Sequence, residues 1–211
     1  MKALLVVDVQ NDFLPGGSLA VTDGDQVIPV INRLMQQFSV VVATQDWHPV
    51  DHGSFADNHE LSAGELIVLD GLQQILWPVH CVQESRGAEM ASGLETDRFD
   101  ATICKGTNPK IDSYSGFFDN GHRQATGLHD YLQSRGVDEV YVTGLATDYC
   151  VKFTALDAVQ LGYKTNLILD ACRGVNLSPG DCEAALEEMR QAGIQIMQSN
   201  QCYESEEQEL G

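Results

Sequence analysis

The chain has 211 residues, with 12 lysines and arginines against 31 aspartates and glutamates, which gives a net charge of −19 at pH 7. This acidic excess repels nucleic acid and acidic membranes, so it favours a small molecule as the ligand. With 43% hydrophobic residues, the chain can bury a full core without a disulfide or a metal. No apolar run reaches the ~20 residues needed to cross a bilayer, and no signal peptide follows Met1, so we expect a cytoplasmic protein.

The six cysteines indicate a reducing compartment, because they form no CxxC pair and no regular disulfide framework. The length is compatible with one α/β domain, which we place at residues 1–203. Residues 204–211 are acidic and are predicted to be a disordered tail. The sequence leaves open whether the protein is a monomer or a homodimer.

The first predicted element is a buried strand with an acid at its end. Residues 3–9 form a nearly unbroken apolar run, which is typical of a strand buried on both faces of a parallel sheet. Asp8 is the exception, and a lone acid there is costly to bury unless it is paired or has a chemical role. The alternative is an aspartate that caps the following loop through Asn11 or Asp12.

Two potential metal ligands follow the second predicted strand. The apolar pattern predicts a helix over residues 25–38 and a strand over residues 40–44, and Asp46 and His48 come soon after. Because one residue separates them, their side chains point the same way in an extended chain and can share a metal ion. The alternative is an Asp-x-His pair that has arisen by chance.

A third potential ligand depends on a long connection. Residues 53–79 have mixed polarity and weak periodicity, so we expect a long functional loop. His80 becomes the third ligand if this loop folds back over Asp46 and His48. The alternatives are a satisfied surface or core histidine at position 80 and simple packing by Trp77.

The second half of the chain continues the alternation of strands and helices. Lys105 follows a strand predicted at residues 100–104 and is either a solvated strand terminus or a site residue. The aromatic segment 112–118 suits a flat-ring pocket or an interface. The remaining predicted elements are a helix ending near 135, strands 140–143, 165–169 and 193–197, helices 151–161 and 179–192, and a loop over 170–179.

Cys150 lies where a predicted strand gives way to a helix. Gly144 is expected to break the strand, and Thr147 or Asp148 is expected to cap the helix that starts at Val151. In the first helical turn, free N–H groups and the helix dipole favour thiolate over thiol and could bind an oxyanion. The alternative is a cysteine that fills a small buried space.

These candidates meet at one edge of the predicted fold. Alternating strands and helices predict an α/β fold with a mostly parallel, doubly wound sheet, whose ligands lie beyond the carboxyl ends of the strands. Asp8, Asp46, Lys105 and Cys150 each occupy such an end. An acid, a lysine and a cysteine there make a plausible acyl-transfer triad, in which Asp8 takes the thiol proton, Lys105 holds the carboxylate and Cys150 attacks.

The motifs carry a specific resemblance. The stretches VVDVQNDF, QDWHP, WPVHCV and GLATDYCVKFTALDA, with the Lys105-Gly106 strand end, resemble the isochorismatase-like cysteine hydrolases and, within them, the bacterial nicotinamidases. The resemblance runs from about residue 3 to residue 174. It implies a three-layer α/β/α sandwich and a catalytic triad of Asp8, Lys105 and Cys150.

The resemblance also implies a metal centre and an oxyanion hole. A divalent ion, zinc or iron with manganese possible, would be held by three residues in a loop insertion near 46–82, namely Asp46, His48 and His80. The N–H groups of Ala146 and Cys150 would form the oxyanion hole, with a cis peptide between Leu145 and Ala146. His52 matches a position that is a ligand in only some members, so it is not assigned.

The implied activity is hydrolysis of nicotinamide to nicotinate and ammonia through a cysteine thioester, in NAD salvage, with pyrazinamide as a second substrate. Phe13 and Trp77 match positions that sandwich the pyridine ring, whereas Tyr149 varies among relatives and is not assigned.

A family hydrolase acting on isochorismate or on a carbamoyl or ureido amide is an alternative, which the metal-ligand set argues against. A non-catalytic binding protein and a thiol redox role also remain, although the intact triad and the lack of a CxxC pair argue against them.

Overall fold

The computed structural model describes residues 1–202, so the predicted acidic tail at residues 204–211 lies outside the described residues. The strands, in chain order, are β1 (Lys2–Val7), β2 (Val41–Asp46), β3 (Leu66–Leu69), β4 (Leu72–Ile75), β5 (Ala101–Lys105), β6 (Glu139–Leu145), β7 (Lys164–Arg173) and β8 (Gln195–Met197). Six of them form one sheet in the order β5-β2-β1-β6-β7-β8, and in the described part of the chain β3 pairs only with β4.

Every neighbouring pair in the six-stranded sheet is parallel. The chain builds outward from β1 through β2 to β5, and then crosses back to β6 and continues through β7 to β8 on the other side. The strand order therefore reverses between β1 and β6. In doubly wound sheets, a crevice opens at such a reversal beyond the carboxyl ends of the strands, and ligands bind there.

Helices cover both faces of the sheet, as predicted. They are α1 (Val27–Met35), α2 (Leu128–Ser134), α3 (Lys152–Gln160) and α4 (Asp181–Gln191). Because successive side chains of a strand point to opposite faces, Leu5 of β1 packs in the core that contains residues of α2, α3 and α4, whereas Leu4 packs in the core that contains residues of α1. The predicted three-layer α/β/α sandwich is confirmed.

The predicted loop at residues 53–79 contains the antiparallel hairpin of β3 and β4. Its turn residues Asp70 and Gly71 both have positive φ, 47° and 85°, a combination typical of tight two-residue hairpin turns. The prediction of a loop was therefore wrong for residues 66–75. Among the described residues, no helix is long and apolar enough to cross a membrane.

Two predicted strand ends also differ from the structure. Gly144 does not end β6, which continues to Leu145, and β7 continues through residues 170–173, which were predicted to be loop. The pairing between β6 and β7 shifts register between Val142 and Gly144, and beyond this irregularity Gly144 pairs with Cys172. The shift brings later residues of β7 into the ladder and thereby lengthens the strand.

Candidate active site

Asp8 directly follows β1 and is fully buried. The Thr44 hydroxyl donates a hydrogen bond to Asp8 Oδ1 over 2.7 Å, and Lys105 Nζ lies 2.9 Å from Asp8 Oδ2. Burial raises the pKa of Asp8 to about 6, with Asp46 adding to the rise and Lys105 opposing it. The carboxyl group is therefore mostly ionised at neutral pH.

Lys105 ends β5 and is buried in the middle of the site. Its Nζ donates to Asp46 Oδ1 at 2.5 Å, to the Ser113 carbonyl at 2.7 Å and to Cys150 Sγ at 3.4 Å. The same ammonium group lies 2.9 Å from Asp8 Oδ2 and so offsets the charge of that carboxylate as well. Burial opposes the ammonium charge, but Asp46 and Asp8 outweigh it and raise the pKa of Lys105 well above its ordinary value.

Cys150 lies within 4.8 Å of carboxylate oxygens of Asp8 and Asp46. Burial raises the pKa of its thiol well above the ordinary value, and the nearby Lys105 ammonium only partly offsets this. The expectation that the helix start keeps the sulfur as a thiolate is therefore wrong, because burial outweighs the favourable charge. A resting thiol needs a base, and the Asp8 carboxylate, which has an oxygen within 4.8 Å of the sulfur, is the acceptor at hand.

The turn that carries Cys150 is a π-helical segment, Thr147–Val151, which leads into α3. The residue before it, Ala146, provides no side-chain cap, so the predicted caps Thr147 and Asp148 were wrong. The Asp148 carboxylate instead accepts hydrogen bonds from the N–H groups of Val175 and Asn176 at 2.9 and 2.7 Å. The peptide bond between Leu145 and Ala146 is cis, as the resemblance implies.

The structure brings Asp46, His48 and His80 together. Asp46 Oδ2 lies 3.6 Å from His48 Nε2 and 3.9 Å from His80 Nε2, and all three side chains are buried. His48 Nδ1 is 2.8 Å from the Gly106 carbonyl, and His80 Nδ1 is 2.7 Å from the Pro78 carbonyl. Because a carbonyl can only accept, each Nδ1 carries a proton, so in the neutral form of each ring it is Nε2, the atom facing Asp46, that has the lone pair. Two imidazole nitrogens and a carboxylate oxygen fit a divalent ion such as zinc, iron or manganese.

His52 lies beside this set rather than within it. Its ring is 4.2 Å from that of His48, and its ligand atoms group with His48 and Asp112, not with Asp46 and His80. Nδ1 of His52 is 2.7 Å from Ser54 Oγ. Nε2 is buried and has no hydrogen-bond partner in residues 1–202. The geometry is consistent with leaving His52 unassigned.

A cavity opens over Cys150. Phe13 and Trp77 are both among its lining residues, as are Ala146, Asp46 and His80. The other lining residues, which the sequence did not assign to the site, are Leu19, Asp112, Tyr114, Tyr149 and Val175. The structure thus gathers the predicted catalytic, oxyanion-hole, substrate and metal candidates at one end of the sheet.

Some contributors could have been found from the sequence, and others could not. Tyr114 lies in the aromatic segment that was predicted to line a flat-ring pocket, and its hydroxyl accepts a hydrogen bond from Trp77 Nε1 at 3.2 Å. Thr44 is a polar residue in a buried strand and pairs with Val7, next to Asp8. Its position as the last residue of the strand predicted at 40–44 was a usable signal. Val175 had none, because it reaches the cavity only through the long-range bond to Asp148.

Comparisons with known proteins identify the family of the chain. Its parallel sheet, with a buried acid, lysine and cysteine beyond the strand ends, is of the doubly wound α/β class. A family model described as Isochorismatase domain matches residues 2–201, so the chain belongs to the isochorismatase family. It is 54% identical to the nicotinamidase of Escherichia coli K12, over 92% of this chain and 93% of that protein.

Two solved structures are close in fold. The Acinetobacter baumanii nicotinamidase pyrazinamidease has a TM-score of 0.92 and 50% identity, covering 95% of this chain and 97% of that one. The pyrazinamidase of Pyrococcus horikoshii, solved in complex with zinc, has a TM-score of 0.77 and 41% identity, covering 93% of this chain and 98% of that one.

Proposed function

We propose that the protein is a nicotinamidase, which hydrolyses nicotinamide to nicotinate and ammonia and also deamidates pyrazinamide. The observation that carries the proposal is the contact of Lys105 Nζ with both Asp8, at 2.9 Å, and Cys150, at 3.4 Å, beneath a cavity lined by aromatic side chains. The 54% identity to the Escherichia coli nicotinamidase supports the choice of amide. We place the reaction in NAD salvage in the cytoplasm, which suits six cysteines that form no disulfide within residues 1–202.

In the first half of the reaction, Cys150 Sγ attacks the carboxamide carbon while its proton passes to Asp8. A carbon–sulfur bond forms, and the carbonyl electrons move onto the oxygen, which the N–H groups of Ala146 and Cys150 stabilise. The tetrahedral intermediate then collapses. The carbon–nitrogen bond breaks, and Asp8 returns its proton to the departing ammonia.

In the second half, Asp8 deprotonates a water molecule, which attacks the thioester. The carbon–sulfur bond breaks, nicotinate leaves and the sulfur regains its proton from Asp8. Lys105 keeps Asp8 ionised between these transfers and offsets the negative charge that develops near the sulfur. Phe13 and Trp77 hold the pyridine ring and keep bulk water away from the thioester.

We further propose that Asp46, His48 and His80 hold one divalent ion, zinc or iron with manganese possible. The shared orientation of the two Nε2 atoms toward Asp46 supports this, as does the zinc complex of the related Pyrococcus horikoshii enzyme. When bound, the ion supplies a Lewis acid that can hold the pyridine nitrogen and so orient the carboxamide over Cys150.

Ammonia release tests both proposals. We expect the purified protein to release ammonia from nicotinamide and from pyrazinamide, to lose this activity after treatment with a chelator and to regain it with zinc or iron. An isochorismate or ureido substrate, assayed in parallel, should give no turnover. Full activity in excess chelator would refute the metal proposal, and absence of ammonia from both amides in metal-loaded protein would refute the nicotinamidase.

A further inference from the structure

In the segment after Asp8, the side chains of Gln10 and Asp12 bond the main chain of the proposed metal ligands and their neighbours, and the mechanism uses neither. Gln10 is completely buried, and its carboxamide pairs with the main chain of Asp46. The Asp46 N–H donates to Gln10 Oε1 at 2.8 Å, and Gln10 Nε2 donates to the Asp46 carbonyl at 2.8 Å. Gln10 Nε2 also donates to the Ala88 carbonyl at 2.9 Å. The side chain thus fixes Asp46 where β2 ends.

Asp12 holds the other part of the predicted metal site. Its Oδ2 accepts a hydrogen bond from the N–H of Cys81 at 2.7 Å, and that N–H belongs to the peptide joining His80 to Cys81. The carbonyl of Cys81 in turn accepts from the N–H of His48 at 3.0 Å. The Asp12 carboxylate therefore fixes the peptide that follows His80 directly, and it fixes the main chain of His48 through Cys81. A Cβ on Gly87 would lie 2.0 Å from Asp12 Oδ2, so the glycine leaves room for this contact.

We propose that Gln10 and Asp12 are positioning residues for the metal centre, and this rests on the proposed function of Asp46, His48 and His80. Neither side chain is among the residues that line the cavity, so they act through the backbone of the ligands. Partners of this kind typically change metal affinity by about 10- to 100-fold when they are removed, because the ligands lose their orientation. The short segment from Asp8 to Phe13 then serves catalysis, metal geometry and substrate binding together.

The test is zinc affinity, measured by competition with a chromophoric chelator. Gln10→Met keeps the length of the side chain but none of its hydrogen bonds, and Asp12→Ala removes the carboxylate. Asp12→Asn keeps an oxygen for the Cys81 N–H and is the conservative rescue. Asn11→Ala is the matched control, because Asn11 lies in the same segment but its side chain, within residues 1–202, bonds only the Arg86 carbonyl, at 2.8 Å.

We expect Gln10→Met and Asp12→Ala to weaken zinc binding about 10- to 100-fold, with Asp12→Asn and Asn11→Ala close to the wild type. The melting temperature of the zinc-free proteins separates loss of stability from loss of affinity. Variants that melt earlier but bind zinc as the wild type does would overturn the inference. If Gln10→Met does not fold, the comparison of Asp12→Ala with Asp12→Asn decides. A wild-type protein that binds no zinc, iron or manganese would overturn the proposed metal site itself, and this inference with it.

Discussion

The charge of a single residue, Asp8, decides whether the proposed chemistry can run. Burial raises the pKa of this carboxyl group, Asp46 raises it further, and the Lys105 ammonium lowers it, with a hydrogen bond from Thr44 in the same direction. The balance leaves the pKa at about 6. Since Cys150 rests as a thiol, catalysis needs Asp8 as the carboxylate, so activity should be lost as the pH falls through this value.

The first residue-scale prediction concerns Lys105→Met. Removing the ammonium takes away the main effect that lowers the pKa of Asp8, while burial and Asp46 continue to raise it. We expect the variant to be slower than the wild type and the acidic limb of its kcat/KM profile to move upward from about 6. A pH–rate profile for both proteins measures this. An acidic limb that stays in place would show that Lys105 does not control the ionisation of Asp8.

At the scale of elements, local sequence signals located the strands, but long-range pairing set their ends. The apolar runs of β1 and β6 and the alternation with helices were enough to place Asp8, Asp46, Lys105 and Cys150 at one edge. The hairpin was missed because residues 53–79 as a whole have mixed polarity and weak periodicity, and its two short strands pair with each other outside the main sheet. β7 was cut short because its last residues pair only after a register shift in β6.

In the site, too, local sequence signals located the residues, whereas long-range contacts set their partners. That Lys105 would lie near Asp8 was predictable from parallel strand ends, but its shorter contact to Asp46 and its bond to the Ser113 carbonyl depend on how the loop after β5 folds. Asp148 was a good N-cap by its residue type, yet it bonds residues 27 and 28 positions further along the chain. The protonation of Cys150 depends on how deeply its thiol is buried, which no local sequence pattern reports.

The element-scale prediction concerns the close contact between β6 and β1. Gly144 has a φ of 109°, and a Cβ there would lie 2.0 Å from the Val7 carbonyl oxygen. We expect Gly144→Ala to lower the free energy of unfolding by about 2–4 kcal/mol, through both backbone strain and overlap. Urea denaturation measures the loss.

Gly127→Ala is the control for this prediction. Gly127 has a φ of 97°, but a Cβ there would meet nothing within 4 Å, so only backbone strain applies. Its cost should be about 1 kcal/mol. Equal losses of stability in the two variants would show that contact between the strands is not what requires glycine at position 144.

At the scale of the whole molecule, the site exists only because the sheet reverses its strand order between β1 and β6. Asp8 comes from β1, Lys105 from β5 and Cys150 from the turn after β6, so the three proposed catalytic groups lie 97 and 45 residues apart along the chain. The sheet brings the three groups together, so that Lys105 Nζ lies 2.9 Å from Asp8 Oδ2 and 3.4 Å from Cys150 Sγ. Asp46, at the end of β2, links this set to the proposed metal ligands through the same lysine.

The central claim is that Cys150 forms the covalent bond to the substrate. Its most direct test is the rate of ammonia release from nicotinamide by Cys150→Ala, with Cys104→Ala as a control because Cys104 is an exposed thiol. We predict that Cys150→Ala stays folded and binds metal but loses activity by about 10⁴-fold or more, whereas Cys104→Ala keeps the wild-type rate. Substantial ammonia release by folded, metal-loaded Cys150→Ala would contradict the covalent mechanism.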